Sequence, residues 1–291
     1  MIELPKDYSD KLNHLYDSKY YTKDNGKCRY FNDCSLNITD PTKYYSDRVK
    51  VGEKYGERFN GIAIPKIVFC GLEGVHNGIS NKQIPSINLK SELSMPSLDA
   101  TNNHYRGVRY VLTYLLAGVL GWDKPDNATL SSLNKPEYNE FLRYYCLTNM
   151  YRCAFGEKTS GLHHSRKMKD NCQRILFDEL DILKPDVFVI QSLTNNPINF
   201  WENFHMRYSY DDEIARAERN DNTSLYRFYY EDGTPFLCLW TYHGNGFPYN
   251  QKDHSENRAC FVNNEKYLKE ELNPVMDVAI EELKNYDLCN I

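Results

Sequence analysis

Three polar side chains that could act together in catalysis each follow or end a short apolar run of the sequence. They are Glu73 after residues 66–70, Asn149 at the end of residues 144–149, and His243 after residues 236–240. A carboxylate can stabilise a developing cation, an amide both donates and accepts hydrogen bonds, and an imidazole can donate to a leaving group. Because parallel strands end at one edge of their sheet, we expect the three groups to meet at such an edge.

Nine cysteines form the second set of residues that could do chemistry, at positions 28, 34, 70, 146, 153, 172, 238, 260 and 289. Their number is odd, and the N-terminal residues are charged where a signal peptide would be apolar. Both features predict free thiols in a soluble, cytoplasmic protein. Cys70, Cys146 and Cys238 fall within predicted strands and are expected in the core. The others either bind a metal or cluster or are scattered small apolar residues.

The elements that must position these residues alternate between strand and helix. Strands are predicted at residues 66–70, 144–149 and 187–190 and in a hairpin over 226–240, and helices at residues 105–118, 172–183 and 266–286. This alternation predicts an α/β fold, a three-layer α/β/α domain with a mainly parallel central sheet. We expect a single domain with an irregular N-terminal layer (1–60), an α/β core (61–260) and a C-terminal helix (261–291).

Composition excludes several classes of protein. The chain has 291 residues, of which 41% are hydrophobic and 26% charged, as in an ordinary globular protein and unlike a disordered or fibrous one. Its longest apolar run, residues 111–120, is too short to cross a bilayer, so no membrane association is expected. The net charge of −5 disfavours a general nucleic-acid coat but is compatible with a local basic surface. Candidate residues for that surface are Arg106, Arg109, Arg152, Arg166 and Lys167.

Four segments, in this order, resemble the uracil-DNA glycosylase superfamily, and most closely its iron–sulfur branch. They are KIVFCGLEG (66–74), LTNMYRC (147–153), NCQRILFDELDILKPDVFVIQS (171–192) and LWTYHGN (239–245). The first resembles the family's strand and Gly-rich catalytic loop, and the second its strand ending in Asn with a cysteine four residues on. The third resembles a helix opened by cysteine, then Lys-Pro and a strand. The last resembles Thr-x-His-Pro-Ser, with Gly-Asn in place of Pro-Ser.

The resemblance implies a monofunctional DNA glycosylase and gives roles to five residues. Glu73 would stabilise an oxocarbenium-like sugar and orient water, and His243 would donate to a carbonyl oxygen of the departing base. Asn149 would read the Watson–Crick edge of either uracil or cytosine, depending on how its amide is turned. Tyr105 would stack on the base, and Gly71 would belong to the base pocket.

The same resemblance implies a metal cluster held by four cysteines, Cys28, Cys34, Cys153 and Cys172. Four thiolates suit a structural [4Fe–4S] cluster, and they suit a tetrahedral structural zinc equally well. The expected partner is DNA, and the protein is expected to act as a monomer.

Two segments of this chain are longer than their counterparts in the family it resembles. One lies between Glu73 and Tyr105, and the other covers residues 195–231. If they line the base pocket, the pocket is larger than uracil needs. We therefore expect a preference for a bulky modified base, such as a hydroxymethylated or glucosylated pyrimidine of phage DNA, and a role in antiviral defence. An ordinary uracil-DNA glycosylase of DNA repair, an inert DNA-binding module and a zinc-bound hydrolase of small nucleotides remain alternatives.

Overall fold

The computed structural model describes residues 5–21, 28–34, 44–46, 48–73, 103–151, 153–155, 166–192, 200–218, 223–244 and 260–285. Its strands are β1 (Tyr44–Ser46), β2 (Lys50–Val51), β3 (Ile67–Glu73), β4 (Tyr145–Tyr151), β5 (Cys153–Phe155), β6 (Val187–Ser192), β7 (Ser209–Arg216), β8 (Ser224–Tyr229) and β9 (Pro235–Tyr242). Its helices are α1 (Pro5–Leu15), α2 (Phe31–Cys34), α3 (Asn103–Val119), α4 (Leu130–Leu133), α5 (Pro136–Phe141), α6 (Arg166–Leu183), α7 (Phe200–Arg207), α8 (Glu265–Tyr267) and α9 (Asn273–Asn285).

Seven strands form one mixed sheet in the order β2-β4-β3-β6-β9-β8-β7. The central strands β4, β3, β6 and β9 are parallel, whereas β2, β8 and β7 pair antiparallel at the two edges. The α/β fold is therefore confirmed, but the sheet is mixed. The physical reason is the short connection between β8 and β9, which turns at Gly233 with a φ of 81° and can only join antiparallel neighbours.

Both faces of the central strands are buried, as their continuous apolar runs require. On β3, Ile67 and Phe69 pack with α3 and α9, whereas Val68 and Cys70 pack with α1, α6 and α7. Cys146 and Cys238 are also buried, as predicted for cysteines within strands. Each face of the sheet thus has its own apolar cluster and its own helices.

Within the N-terminal layer predicted over residues 1–60, the first described stretch is helical rather than irregular. It forms α1 and a π-helical turn, Tyr16–Tyr20, whose buried residues join the apolar cluster of one face of the sheet. Tyr8, Leu12 and Tyr16 recur every four residues, so they lie along one side of the helix and are buried. No helix in the described ranges has the length and apolar character needed to cross a membrane.

A buried polar network joins this N-terminal segment to the core. The Tyr16 hydroxyl donates to the Glu179 carboxylate of α6 and accepts from the backbone N–H of Val49 at 3.1 Å. The Thr148 hydroxyl of β4 donates to the same carboxylate at 3.2 Å. Glu179 is fully buried, so removing a donor from its carboxylate would be costly.

Replacing Tyr16 by phenylalanine should lower the free energy of unfolding by about 1–3 kcal/mol, because a buried carboxylate loses a donor and a buried N–H its acceptor. Urea unfolding would measure the loss. Tyr229→Phe is the matched control, since that hydroxyl donates to Asp211 at the surface and its removal should cost at most about 0.5 kcal/mol. Equal losses in the two variants would contradict the account.

Candidate active site

The carboxyl ends of the parallel strands bring four residues into one row. Gly71 pairs with Asn149 across β3 and β4, and Gln191 pairs with Thr241 across β6 and β9. Because Cys70 pairs with Ile190 in the parallel β3–β6 ladder, Gly71 and Gln191 are neighbours as well. Successive residues of a strand point to opposite faces of its sheet, and each of the four lies two positions after a residue that packs on the α3 face. All four therefore lie on that face.

The first turn of α3 lies directly against the end of β9. A Cβ on Gly244 would be 1.9 Å from the carbonyl oxygen of Asn103, so only glycine permits this approach of the two backbones. The approach brings His104 of α3 against His243. The two imidazole rings stack with centroids 4.5 Å apart and planes 7° apart.

Gly71 lies close to both the Asn149 amide and the His104 imidazole. A Cβ at this position would lie 2.8 Å from Asn149 Oδ1 and 3.7 Å from His104 Cε1. The missing side chain therefore lets the Asn149 amide and the His104 imidazole approach the end of β3. Gly71 and Asn149, both predicted from the sequence, are thus next to each other, and the predicted His243 stacks on His104.

Burial keeps both imidazoles uncharged near neutral pH. Desolvation, together with the neighbouring His243, lowers the pKa of His104 from 6.5 to about 3. Desolvation lowers the pKa of His243 from 6.5 to about 4. A neutral imidazole still has one N–H, so His243 can donate a hydrogen bond without carrying a proton to transfer at pH 7.

These pKa values predict that the folded protein loses stability in mild acid. Between pH 6.5 and about 4 the unfolded chain protonates both histidines and the folded protein does not. The free energy of unfolding should therefore fall as pH falls, by at most about 1.4 kcal/mol per pH unit for each histidine. Urea unfolding from pH 7 to pH 5 measures the slope.

The control is the double variant His104→Phe/His243→Phe, which should show a smaller pH slope than the wild type. It is needed because other groups titrate too. Burial raises the pKa of Asp186, which favours the folded state as pH falls and so acts in the opposite sense. An unchanged slope in the double variant would contradict the assignment.

The other two predicted site residues are Glu73, of which only the backbone is described, and Tyr105. Glu73 ends β3 and its backbone pairs with Tyr151, but its side chain lies outside the described part of the chain. Tyr105 follows His104 in the first turn of α3, where it is half-buried against the core cluster and its ring centroid is 5.2 Å from that of His104. Packing against the core accounts for the described contacts of the Tyr105 ring.

Sequence reasoning missed His104 and Gln191. His104 directly precedes the predicted stacking residue Tyr105, yet nothing in the sequence brings it to His243. Gln191 did carry a signal. It is the first polar residue after the apolar run of β6, at a strand end like those of Asn149 and His243.

The predicted cluster cysteines are partly brought together. Cys34 accepts a hydrogen bond from Asn171 Nδ2 at 3.4 Å, and it lies close enough to Cys172 for the two thiols to interact electrostatically. Cys28 is buried in the same apolar cluster, whereas the Cys153 side chain is outside the described residues. Among the side chains that are described, no three from Cys, His, Asp and Glu are placed to hold a metal ion. The described cysteines therefore do not by themselves form a ligand set.

Two of the candidate DNA-contacting arginines have structural partners. Arg109 is buried and donates to the carbonyl oxygen of Leu133 at 2.9 Å, and Arg106 donates to Asn263 Oδ1 at 2.5 Å. Lys167 is exposed and 3.5 Å from Asp33. Arg152 and the side chain of Arg166 lie outside the described residues.

The described residues of the second long segment, 200–218 and 223–231, are mostly regular structure. They form α7, β7 and β8, of which the two strands extend the sheet beyond β9. An open groove of about 530 Å³ lies between α6 and α7, on the other face of the sheet from His243. The other long segment falls almost wholly on residues 74–102, which are not described.

No protein-family model matches the sequence. No curated protein matches it significantly.

Proposed function

We propose that the protein is a DNA glycosylase that flips a pyrimidine-type base out of DNA and hydrolyses its N-glycosidic bond, leaving an abasic site. One observation carries the proposal: an amide, a glycine and a neutral histidine pair converge at the carboxyl edge of parallel strands. The helices on both faces of the sheet support a three-layer uracil-DNA glycosylase-like domain, in which this edge would be the base pocket.

In the proposed reaction, the flipped base lies over Gly71. Binding there requires the base to leave the stack, which costs a few kcal/mol that contacts in the pocket must offset. The Asn149 amide pairs with the Watson–Crick edge. The neutral His243 donates to a carbonyl oxygen as negative charge develops on the departing base.

We assign the carboxylate role to Glu73. Base departure gives the sugar oxocarbenium character, and a nearby carboxylate stabilises that charge and orients the attacking water. The assignment is supported by the position of Glu73, two residues beyond Gly71 at the end of the same strand.

The proposal is tested by incubating labelled oligonucleotides containing one deoxyuridine or one hydroxymethylated or glucosylated deoxycytidine with the protein, followed by alkali. Alkali cleaves DNA at abasic sites, so a cut at the modified position in the wild type and not in Glu73→Gln is the expected result. No cut in any oligonucleotide would reject catalysis and favour the inert DNA-binding module. Cutting at deoxyuridine alone would favour the repair enzyme over the antiviral one.

A structural metal is a separate part of the proposal. Cys28, Cys34, Cys153 and Cys172 would hold a [4Fe–4S] cluster or a zinc ion that ties the N-terminal segment to α6, and no catalytic step depends on it. Protein purified without oxygen is expected to contain about four iron and four sulfide per chain, or about one zinc, and Cys34→Ser/Cys172→Ser should contain much less. Cys70→Ser/Cys238→Ser is the control pair, because these thiols lie within strands. Metal-free wild-type protein with full stability would reject the site.

A further inference from the structure

Gln191 is a buried amide without a hydrogen-bond partner among the described residues. Its side chain is 1% exposed, and neither Oε1 nor Nε2 has a partner. Gln173 of α6 is equally buried, but its Oε1 accepts from Asn203 Nδ2 at 2.6 Å. Buried amides are nearly always paired, so an amide with both groups unpaired needs an explanation, such as a ligand that pairs with it.

Gln191 lies in the same row of strand-end positions as Gly71 and Asn149 of the candidate active site. On one side lies Thr241, whose hydroxyl is already 3.1 Å from that of Tyr267. On the other side lies Gly71, which has no side chain. A ligand over Gly71 would therefore lie between two amides, that of Asn149 and that of Gln191.

We propose that Gln191 binds a hydroxyl-bearing substituent of the flipped base, and so sets the specificity of the enzyme for a modified pyrimidine. The inference rests on the proposed function. An unsubstituted pyrimidine presents three polar groups on its edge, of which Asn149 pairs with two and His243 with the third. The donor and acceptor of Gln191 then require further polar groups, which a hydroxymethyl or sugar substituent supplies, because a hydroxyl both donates and accepts.

This arrangement discriminates against bases that lack the substituent. An unmodified pyrimidine would leave the Gln191 amide unpaired and cut off from water. Sites built to bond a hydroxyl reject the analogue without it far more strongly than apolar pockets reject a missing methylene. Gln191 is thus a specificity residue, and its loss should affect modified and unmodified bases differently.

The test compares kcat/KM for oligonucleotides containing glucosylated or hydroxymethylated deoxycytidine with that for oligonucleotides containing deoxycytidine or deoxyuridine. In the variant Gln191→Met, which keeps the chain length, the preference for modified bases should fall at least tenfold. Its Tm should stay the same or rise, because an unpaired buried amide has been removed. Gln191→Leu is the second variant, and Gln173→Met is the control, in which Tm should fall and the preference should be unchanged.

A preference unchanged in both Gln191 variants would overturn the inference while leaving the glycosylase proposal intact. A fall in Tm as large as in Gln173→Met would also overturn it, because it would show a structural amide. If the wild type releases no base, the proposed function fails, and the ratio of the dissociation constants for the same oligonucleotides decides the role of Gln191. If the wild type binds modified and unmodified oligonucleotides with equal dissociation constants, the inference is overturned. If it binds the modified ones more tightly and only the Gln191 variants lose this preference, the inference is supported.

Discussion

Base release by the His243→Phe variant is expected to be about 10²–10³ times slower than by the wild-type protein, the range found when one donor to a developing negative charge is removed. Phenylalanine keeps a flat ring against His104, so the stacking of the two rings should remain. What is lost is the N–H that, in the proposed reaction, donates to the departing base. Single-turnover release of the base measures the effect.

His205→Phe is the matched control for this variant. His205 is exposed on α7, and its ring contacts Tyr210 and Phe228 away from the site. Its replacement should leave base release within about twofold of the wild type, as expected of a surface substitution. A His243→Phe variant as active as the control would remove His243 from the mechanism.

Replacing Gly71 by alanine is expected to abolish most base release, with a loss of at least about 100-fold, comparable to other small misplacements in active sites. The added Cβ would be 2.8 Å from Asn149 Oδ1, closer than real Cβ contacts, so the amide must move. The methyl group would also occupy the position over Gly71 at which we propose that the base binds. Equilibrium binding to the same oligonucleotide should weaken in parallel with base release.

The control for this variant is Cys70→Ala, one residue earlier in β3 and on the opposite face. It removes a buried sulfur atom from the core, so it should lower Tm while base release stays near the wild-type rate. If Gly71→Ala retained wild-type release, the space over Gly71 could not be the base pocket.

The positions of Asn149 and His243 at the ends of parallel strands could be predicted because they depend on a local pattern. Each follows or lies near the end of a continuous apolar run, and such runs form parallel strands whose ends share an edge. His104 could not be predicted in this way. Its position depends on the contact between the first turn of α3 and Gly244, which is a tertiary contact between residues far apart in sequence.

The errors at the edges of the fold have physical causes as well. The polar residues between Tyr8, Leu12 and Tyr16 concealed the four-residue spacing of these three buried side chains. The edge strand β7 is largely exposed and contains three acidic residues, Asp211, Asp212 and Glu213, so it lacks the apolar pattern that marks a strand. These elements are held by packing and pairing rather than by local preference.

The central claim is tested most directly by identifying the base that the protein frees. Wild-type protein and an Asn149→Leu variant would be incubated with uracil-containing DNA and with hydroxymethylated and glucosylated phage DNA, and the released small molecules analysed by mass spectrometry. The account predicts that the wild type frees a modified pyrimidine base and that Asn149→Leu does not. Absence of any freed base, or equal release by the two proteins, would contradict it.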